Sequence, residues 1–324
     1  MSTTTNSALA LIAPDMQALD RVIHGQLHTG VPLVAQVSQY IISAGGKRLR
    51  PALLLMMANA LQYQGTQHHT LAAVVEFIHT ATLLHDDVVD ESTLRRNRPT
   101  ANATFGNPAA VLVGDFMYTR AFQMMVACQN MRILQILADT TNIIAEGEVW
   151  QLVNMHDASL SEEQYLHVIR SKTACLFEAS TRIAAVLANC TPEQEEACAT
   201  YGQALGTAFQ IIDDVLDYEG NVEELGKNLG DDLREGKNTL PLIIAMQRGT
   251  EAQAAVVRHA IEQGDAEALP QIVEIVRSTG ALDGARAAAE QEAHRAISAL
   301  STLPANAYTE ALRTLAVSLQ TRKT

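Results

Sequence analysis

The chain has 324 residues, 48% hydrophobic but only 4% aromatic, and 23 basic residues against 36 acidic ones give it a net charge of −13. That acidity excludes a general nucleic-acid binder, which needs a basic face, and it requires any anionic substrate to be drawn in by local Lys and Arg or by metal. Many Ala, Leu, Ile and Val beside few aromatics favour packed helices over sheets.

Residues 1–10 are rich in Thr, Ser and Asn and are expected to be disordered. They lack the charged start and apolar core of a signal peptide. Helical periodicity then predicts helices over about 15–28, 32–44, 47–62, 69–91, 107–128, 131–155, 161–189, 193–219, 238–248, 251–263, 266–279, 281–301 and 305–321. No alternating strand pattern stands out. Gly45-Gly46 breaks one helix, and Pro51 falls in the first turn of the next, where its missing N–H costs little. Two polar connectors, 95–108 and 219–238, each follow an Asp-rich segment. Cys128, Cys175, Cys190 and Cys198 form no C-x-x-C pair and read as small buried residues in a reducing cytosol. The longest apolar runs, such as 51–58, are too short to span a bilayer. With no linker between halves, the expectation is a cytoplasmic, all-α, single-domain helical bundle over residues 1–324.

Two segments carry the chemistry. His85-Asp86-Asp87-Val88-Val89-Asp90 and Ile212-Asp213-Asp214-Val215-Leu216-Asp217 are both D-D-x-x-D motifs inside apolar helical runs. One acidic run alone reads as a solvated helix face; two in the same apolar setting point to cations. First and last Asp of each motif lie one turn apart, about 6 Å at 1.5 Å per residue. Magnesium suits them, because it prefers oxygen ligands and fills its shell with water and substrate phosphates. That spacing lets Asp86 with Asp90, and Asp213 with Asp217, share or flank small hard ions.

Around these lie further candidates. His79, Thr82, Asp86 and Asp90 share one helix face. Val75 and Ile78 continue the stripe, although packing alone reads them as core. Gln210, Asp213, Asp214 and Asp217 likewise share a face, with Gly206 one turn earlier, where a bulky tail or another helix can approach. Counter-charge for diphosphates comes from Lys47 and Arg50, Arg95 and Arg96, Lys172 beside Thr173, and Lys227 and Lys237. Any one of these, taken singly, also fits a surface salt bridge or a loop lysine without a role.

In order along the chain, Gly45-Gly46-Lys47-Arg48-Leu49-Arg50-Pro51, His79, the first Asp motif, Arg95-Arg96, Lys172-Thr173, Phe209 to Asp217, Gly226-Lys227 and Gly230-Asp231-Asp232 closely resemble the motifs of the trans-prenyl diphosphate synthases. That family includes farnesyl, geranylgeranyl and octaprenyl diphosphate synthases. The stretches Val111 to Phe116 and Ala145-Glu146-Gly147-Glu148 look most like the bacterial octaprenyl members.

The resemblance implies an isoprenoid synthase-type bundle around a deep apolar cavity. It implies that Lys47, Arg50, His79 and Arg96 bind isopentenyl diphosphate. Two or three Mg2+ ions on the Asp motifs would hold an allylic diphosphate, helped by Asp87 and Asp214. Arg95, Lys172, Thr173, Gln210, Lys227 and Lys237 would touch that diphosphate. The catalytic set is Asp86, Asp87, Asp90, Lys172, Asp213 and Asp214.

In this family the fourth and fifth residues before the first motif set product length. Here they are Thr82 and Ala81, both small, and together with Ile78 and Val75 they open a channel roughly 22 Å deep from Leu71 to Asp86 at 1.5 Å per residue. The expected product is octaprenyl diphosphate for quinone side chains from a farnesyl primer, with nonaprenyl, decaprenyl or geranylgeranyl as alternatives. A homodimer that delivers product to a membrane is also implied. A terpene cyclase is disfavoured by the second motif, and a non-catalytic subunit by the intact basic set.

Overall fold

The computed structural model describes residues 3–46, 48–219 and 230–320. Helices dominate: α1 (Thr3–Ala10), α2 (Ala13–Gln26), α3 (Pro32–Ser43), α4 (Leu49–Ala60), α5 (Gln67–Val89), α6 (Ala101–Phe105), α7 (Asn107–Ala127), α8 (Met131–Val153), α9 (Glu162–Ile169), α10 (Cys175–Leu187) and α11 (Pro192–Glu219). They continue as α12 (Asp231–Arg234), α13 (Leu240–Arg248), α14 (Glu251–Gln263), α15 (Leu269–Ser278), α16 (Ala281–Ala299) and α17 (Ala307–Gln320).

The middle of the bundle is α4, whose Leu53, Leu54, Leu55, Met56 and Met57 are all fully buried. A helix apolar all round belongs inside other helices, and α4 packs between α5 and α10, with α17 also against it. α5 lies along α7, while α11 lies between α10 and α16. The approach of α11 to α10 depends on Gly206, where a Cβ would stand 2.8 Å from the Cα of Ala174 and 3.0 Å from the Cβ of Phe177. Of the two visitors the sequence allows at Gly206, the structure shows a neighbouring helix.

Three expectations change. Residues 3–10 are helical, not disordered, because α1 finds a partner in α17 and buries Ala8. The connector 95–108 holds a small antiparallel hairpin, β1 (Leu94–Arg95) and β2 (Arg98–Pro99), and then the short helix α6. Its two-residue turn, Arg96-Asn97, has φ of 53° and 59°. Paired positive φ values suit a hairpin turn that Asn-Gly normally signals, so Arg-Asn gave no warning. α6 is capped by Thr100, whose Oγ1 accepts from the Ala103 N–H at 3.3 Å. The long helix expected over 161–189 is interrupted by a π-helical stretch, Arg170–Ala174, a break frequent at functional sites.

Candidate active site

The first Asp motif closes α5. Asp86 lies in its last turn and Asp90 at its C-cap, where its N–H returns to the Asp86 carbonyl at 2.8 Å. On this helix the half-buried positions include Glu76, His79, Thr82, Asp86 and Asp90, a single stripe along the face expected from the spacing. Asp87 points the other way and is fully buried. Its Oδ1 accepts from both Nε and Nη2 of Arg95, at 2.9 and 2.7 Å. The β hairpin positions that contact, because β1 carries Arg95 back onto the helix end.

Each rim carboxylate of this motif meets a lysine from elsewhere. Lys172 Nζ lies 3.7 Å from Asp86 Oδ2 and 2.6 Å from Glu148 Oε2. Lys237 Nζ lies 3.4 Å from Asp90 Oδ2 and 2.5 Å from Glu235 Oε2. Burial alone would lower the Lys237 ammonium, but Asp232, Glu235 and Asp90 together raise it above the usual lysine range. Burial also raises the carboxyl of Asp86, against the pull of Lys172.

Lys172 reaches the rim from the π-helical stretch. α8 comes close enough to hold it because Gly147 has no side chain: a Cβ there would stand 2.9 Å from the Lys172 amide nitrogen. Lys237 is delivered by a loop tied to the end of α8, since the His156 N–H donates to the Gly236 carbonyl at 2.8 Å and Asn238 Nδ2 to the Asp157 carbonyl at 3.2 Å.

The second motif ends α11 across the same opening. Asp213 is half-buried and lines a cavity of about 250 Å3 together with Lys172, Thr173, Gln210, Lys237 and Arg95. Asp214 is buried behind it, accepting from the Tyr165 hydroxyl at 2.6 Å and from Gln210 Nε2 at 2.8 Å. Thr173 donates to Gln210 Oε1 at 3.0 Å, so Gln210 is oriented from both sides. Burial, with Asp232 nearby, raises the Asp214 carboxyl well above the usual range. Asp217 is fully buried, and its Oδ2 accepts from the Asp232 N–H at 3.3 Å.

A separate basic pocket lies seven residues back along α5, roughly 10 Å from Asp86 at 1.5 Å per residue. Arg50 Nη1 contacts His79 Nε2 at 3.1 Å, and the Arg50 guanidinium stacks over the Phe177 ring at 4.6 Å. Arginine can only donate, so His79 Nε2 accepts and the ring is neutral. Burial, then Arg50, Arg96 and Arg95, hold His79 well below its ordinary value. Burial lowers Arg50 to about 10, still charged at neutral pH. The Arg96 guanidinium fills the place a Gly46 side chain would take, 2.5 to 2.7 Å from an added Cβ.

The structure thus brings together Asp86, Asp90, Lys172, Thr173, Gln210, Asp213, Asp214, Lys237 and Arg95 at one mouth, and Arg50, His79 and Arg96 beside it. Lys47 and Lys227 lie outside the described residues. Val75, Ile78 and Ala81 are fully enclosed in the core and do not line the described cavity, while Thr82 is half-buried with its hydroxyl donating to the His79 carbonyl at 2.8 Å. Sequence reasoning missed Tyr165, Glu148, Glu235 and His156 as partners of the site. Only Glu148 gave a signal, in the stretch Ala145 to Glu148.

Residues 31–276 match the family model described as Polyprenyl synthetase. The chain belongs to the polyprenyl synthetase family. It is 53% identical over 307 residues to octaprenyl diphosphate synthase of Escherichia coli strain K12, covering 94% of this chain and 95% of that protein. An all-trans-nonaprenyl-diphosphate synthase of Rhodobacter capsulatus, geranyl-diphosphate specific, is 48% identical, with 94% of each chain covered. Among solved structures, a polyprenyl synthase from Caulobacter crescentus complexed with calcium and isoprenyl diphosphate superposes with a TM-score of 0.95 at 42% identity, over 99% of this chain and 98% of that one. The expected fold and enzyme class hold: this is a helical, long-chain, all-trans polyprenyl diphosphate synthase, a prenyltransferase. Among the described residues no helix is long and apolar enough to cross a membrane.

Proposed function

We propose that this enzyme extends farnesyl diphosphate, by head-to-tail addition of isopentenyl diphosphate, to octaprenyl diphosphate for quinone side chains. One observation carries the reading. Two Asp motifs distant in sequence flank one cavity with Lys172 and Lys237 at its rim, and a second basic pocket stands about two turns away on the same helix. Two anion-binding subsites at that separation suit two diphosphate substrates that react end to end.

Magnesium fits the donor set. Asp86 and Asp90 each already hold an ammonium group within 3.7 and 3.4 Å, so their oxygens are aimed at cations. Asp86, Asp90, Asp213 and Asp217 offer the hard oxygen ligands that Mg2+ takes, and two or three ions are proposed there. When bound, the metal supplies Lewis acidity toward the departing diphosphate.

The protein's own residues do the rest. Arg95, Lys172 and Lys237 donate to the allylic diphosphate and stabilise the charge that grows as its carbon–oxygen bond breaks, an effect strongest where donors are pre-positioned. Asp87 keeps Arg95 in place, while Thr173 and Gln210 offer neutral hydrogen bonds. Arg50, His79 and Arg96 hold isopentenyl diphosphate, with Lys47 and Lys227 proposed to assist at their respective subsites. The double bond of isopentenyl diphosphate attacks the allylic cation, and the released diphosphate accepts the proton then lost. Apolar walls exclude water from the cation.

The tail is proposed to descend beside Val75, Ile78, Ala81 and Thr82. Two features support a homodimer: α7 exposes Val111, Leu112 and Val126, and α8 exposes Met131, Ile143, Val149, Trp150, Leu152 and Val153. Apolar surface on this scale marks an interface. We further propose a single domain, a cytoplasmic location and delivery of the product to a membrane.

Product chromatography after incubation with isopentenyl diphosphate, farnesyl diphosphate and Mg2+ tests the reading. Octaprenyl diphosphate is expected; a product no longer than geranylgeranyl would overturn it. The likeness to the nonaprenyl synthase makes a nine-unit product the second reading, and the same chromatogram separates the two. Ala81→Phe should release products of about farnesyl to geranylgeranyl size, because close-packed interiors rarely absorb such added volume. A full-length product from that variant would remove this helix from the channel wall.

A further inference from the structure

Far from the Asp mouth, the opposite end of α5 gathers a group of ligating side chains that prenyl transfer does not use. His68 and His69 lie in the first turn of α5, and Asp15 in the first turn of α2. His69 Nε2 stands 2.8 Å from Asp15 Oδ1, and His68 Nε2 stands 3.5 Å from the same oxygen. One ligand atom from each of the three residues falls within 4.8 Å of the others. We propose that Asp15, His68 and His69 form a transition-metal site, for which zinc is the best-fitting ion.

The donor chemistry supports this. Two imidazole nitrogens and one carboxylate oxygen are zinc ligands, bonding at about 2.0–2.2 Å in tetrahedral geometry. Such bonds place neighbouring ligand atoms roughly 3.4 Å apart, close to the two separations observed. Three protein ligands leave a fourth position for water. Without a cation, two ring nitrogens must share one carboxylate oxygen while the rings sit 3.9 Å apart, centroid to centroid. A metal ion takes the place of those crowded N–H groups.

The surroundings hold the ligands in position. Asn59, at the end of α4, donates through Nδ2 to Asp15 Oδ2 at 2.9 Å and to the Leu55 carbonyl at 2.8 Å. That contact fixes the carboxylate so that Oδ1 faces the histidines, the orienting role that outer partners play at metal centres. His68 is 6% exposed, and the Tyr63 ring packs edge-on against it at 5.4 Å. His69 and Asp15 keep 18% and 22% of their side-chain surface accessible, which leaves an entry path.

The site is independent of the catalytic metals. From His69 to Asp86 is 17 residues of helix, about 26 Å at 1.5 Å per residue. A metal here joins the N-terminal helix α2 to the base of α5, beside the last turn of α4, so its effect is on folding free energy.

The test uses the full-length enzyme, stripped with chelator and reloaded with zinc in excess Mg2+ so that the Asp motifs stay filled, then desalted and analysed for metal. Wild type is expected to keep one zinc per chain more than His69→Gln or Asp15→Asn, and zinc should raise its melting temperature by several degrees but not theirs. Cobalt in place of zinc should give visible absorption bands in wild type alone. Prenyl transfer in Mg2+ alone verifies that the variants are folded. If a variant fails that check, the wild-type result decides: no zinc retained after desalting and no cobalt band would overturn the proposal. Equal zinc in wild type and folded variants would also overturn it.

Discussion

The two Asp motifs share the D-D-x-x-D pattern and differ in how their middle carboxylates are held. The first faces cations: Asp86 and Asp90 meet Lys172 and Lys237, and Asp87 grips Arg95. In the second, Asp214 takes a phenol and an amide, and Asp217 takes a backbone N–H. In both, the first Asp is half-buried and the middle Asp is turned into the protein as a support. The middle Asp of each motif is thus anchored by different chemistry: an ion pair with Arg95 in one, hydrogen bonds from Tyr165 and Gln210 in the other.

The largest expected effect treats the motifs as equals. Asp86→Ala and Asp213→Ala should each lower turnover by at least about 10²–10³-fold, the scale of losing one pre-positioned electrostatic element, with circular dichroism unchanged. A near-normal rate in only one of them would break the symmetry and assign metal binding to the other motif.

A smaller effect separates the supports. Asp87→Asn leaves the Arg95 guanidinium without its buried anion and should lower stability by about 3 kcal/mol, the lower end for breaking a buried pair, because Arg95 keeps some exposure. Tyr165→Phe removes one hydrogen bond to Asp214 and should cost about 1–2 kcal/mol. Urea denaturation of the two variants measures both. Equal losses would mean that the ion pair and the hydrogen bond do the same structural work.

Much of this contrast was legible in the sequence, but only one side of it. Asp86 and Asp213 stood out because carboxylates in apolar helices need a reason, and Lys172 because Ser171-Lys172-Thr173-Ala174 sits mid-helix in an otherwise apolar stretch. Their anchors were hidden. Tyr165 lies 49 residues from Asp214, and nothing local to Tyr165 announces that contact. Arg95 was read as touching substrate, yet its grip on Asp87 depends on a hairpin whose Arg96-Asn97 turn carries no glycine. The π-helical stretch around Lys172 was equally invisible, since i→i+5 bonding leaves no composition signature. Residues 3–10 look polar and unstructured until α17 is placed beside them.

The smallest expected effect lies in the other basic pocket. Burial and the nearby arginines hold folded His79 well below its ordinary value near 6.5. Below about pH 6.5 the unfolded chain therefore binds a proton that the folded chain refuses, so stability falls with acidification and the full value is present above that pH. His79→Gln should flatten the denaturation midpoint between pH 7 and pH 5.5 relative to wild type. An unchanged slope would mean that His79 is not the group responsible.

The most direct measurement is binding of a non-reactive allylic diphosphate analogue by calorimetry, with and without Mg2+, to wild type, Asp86→Asn and Asp213→Asn. Tight, Mg2+-dependent binding in wild type and its loss in both variants is the predicted result. Wild-type, Mg2+-dependent affinity in either variant would contradict a site built from both motifs.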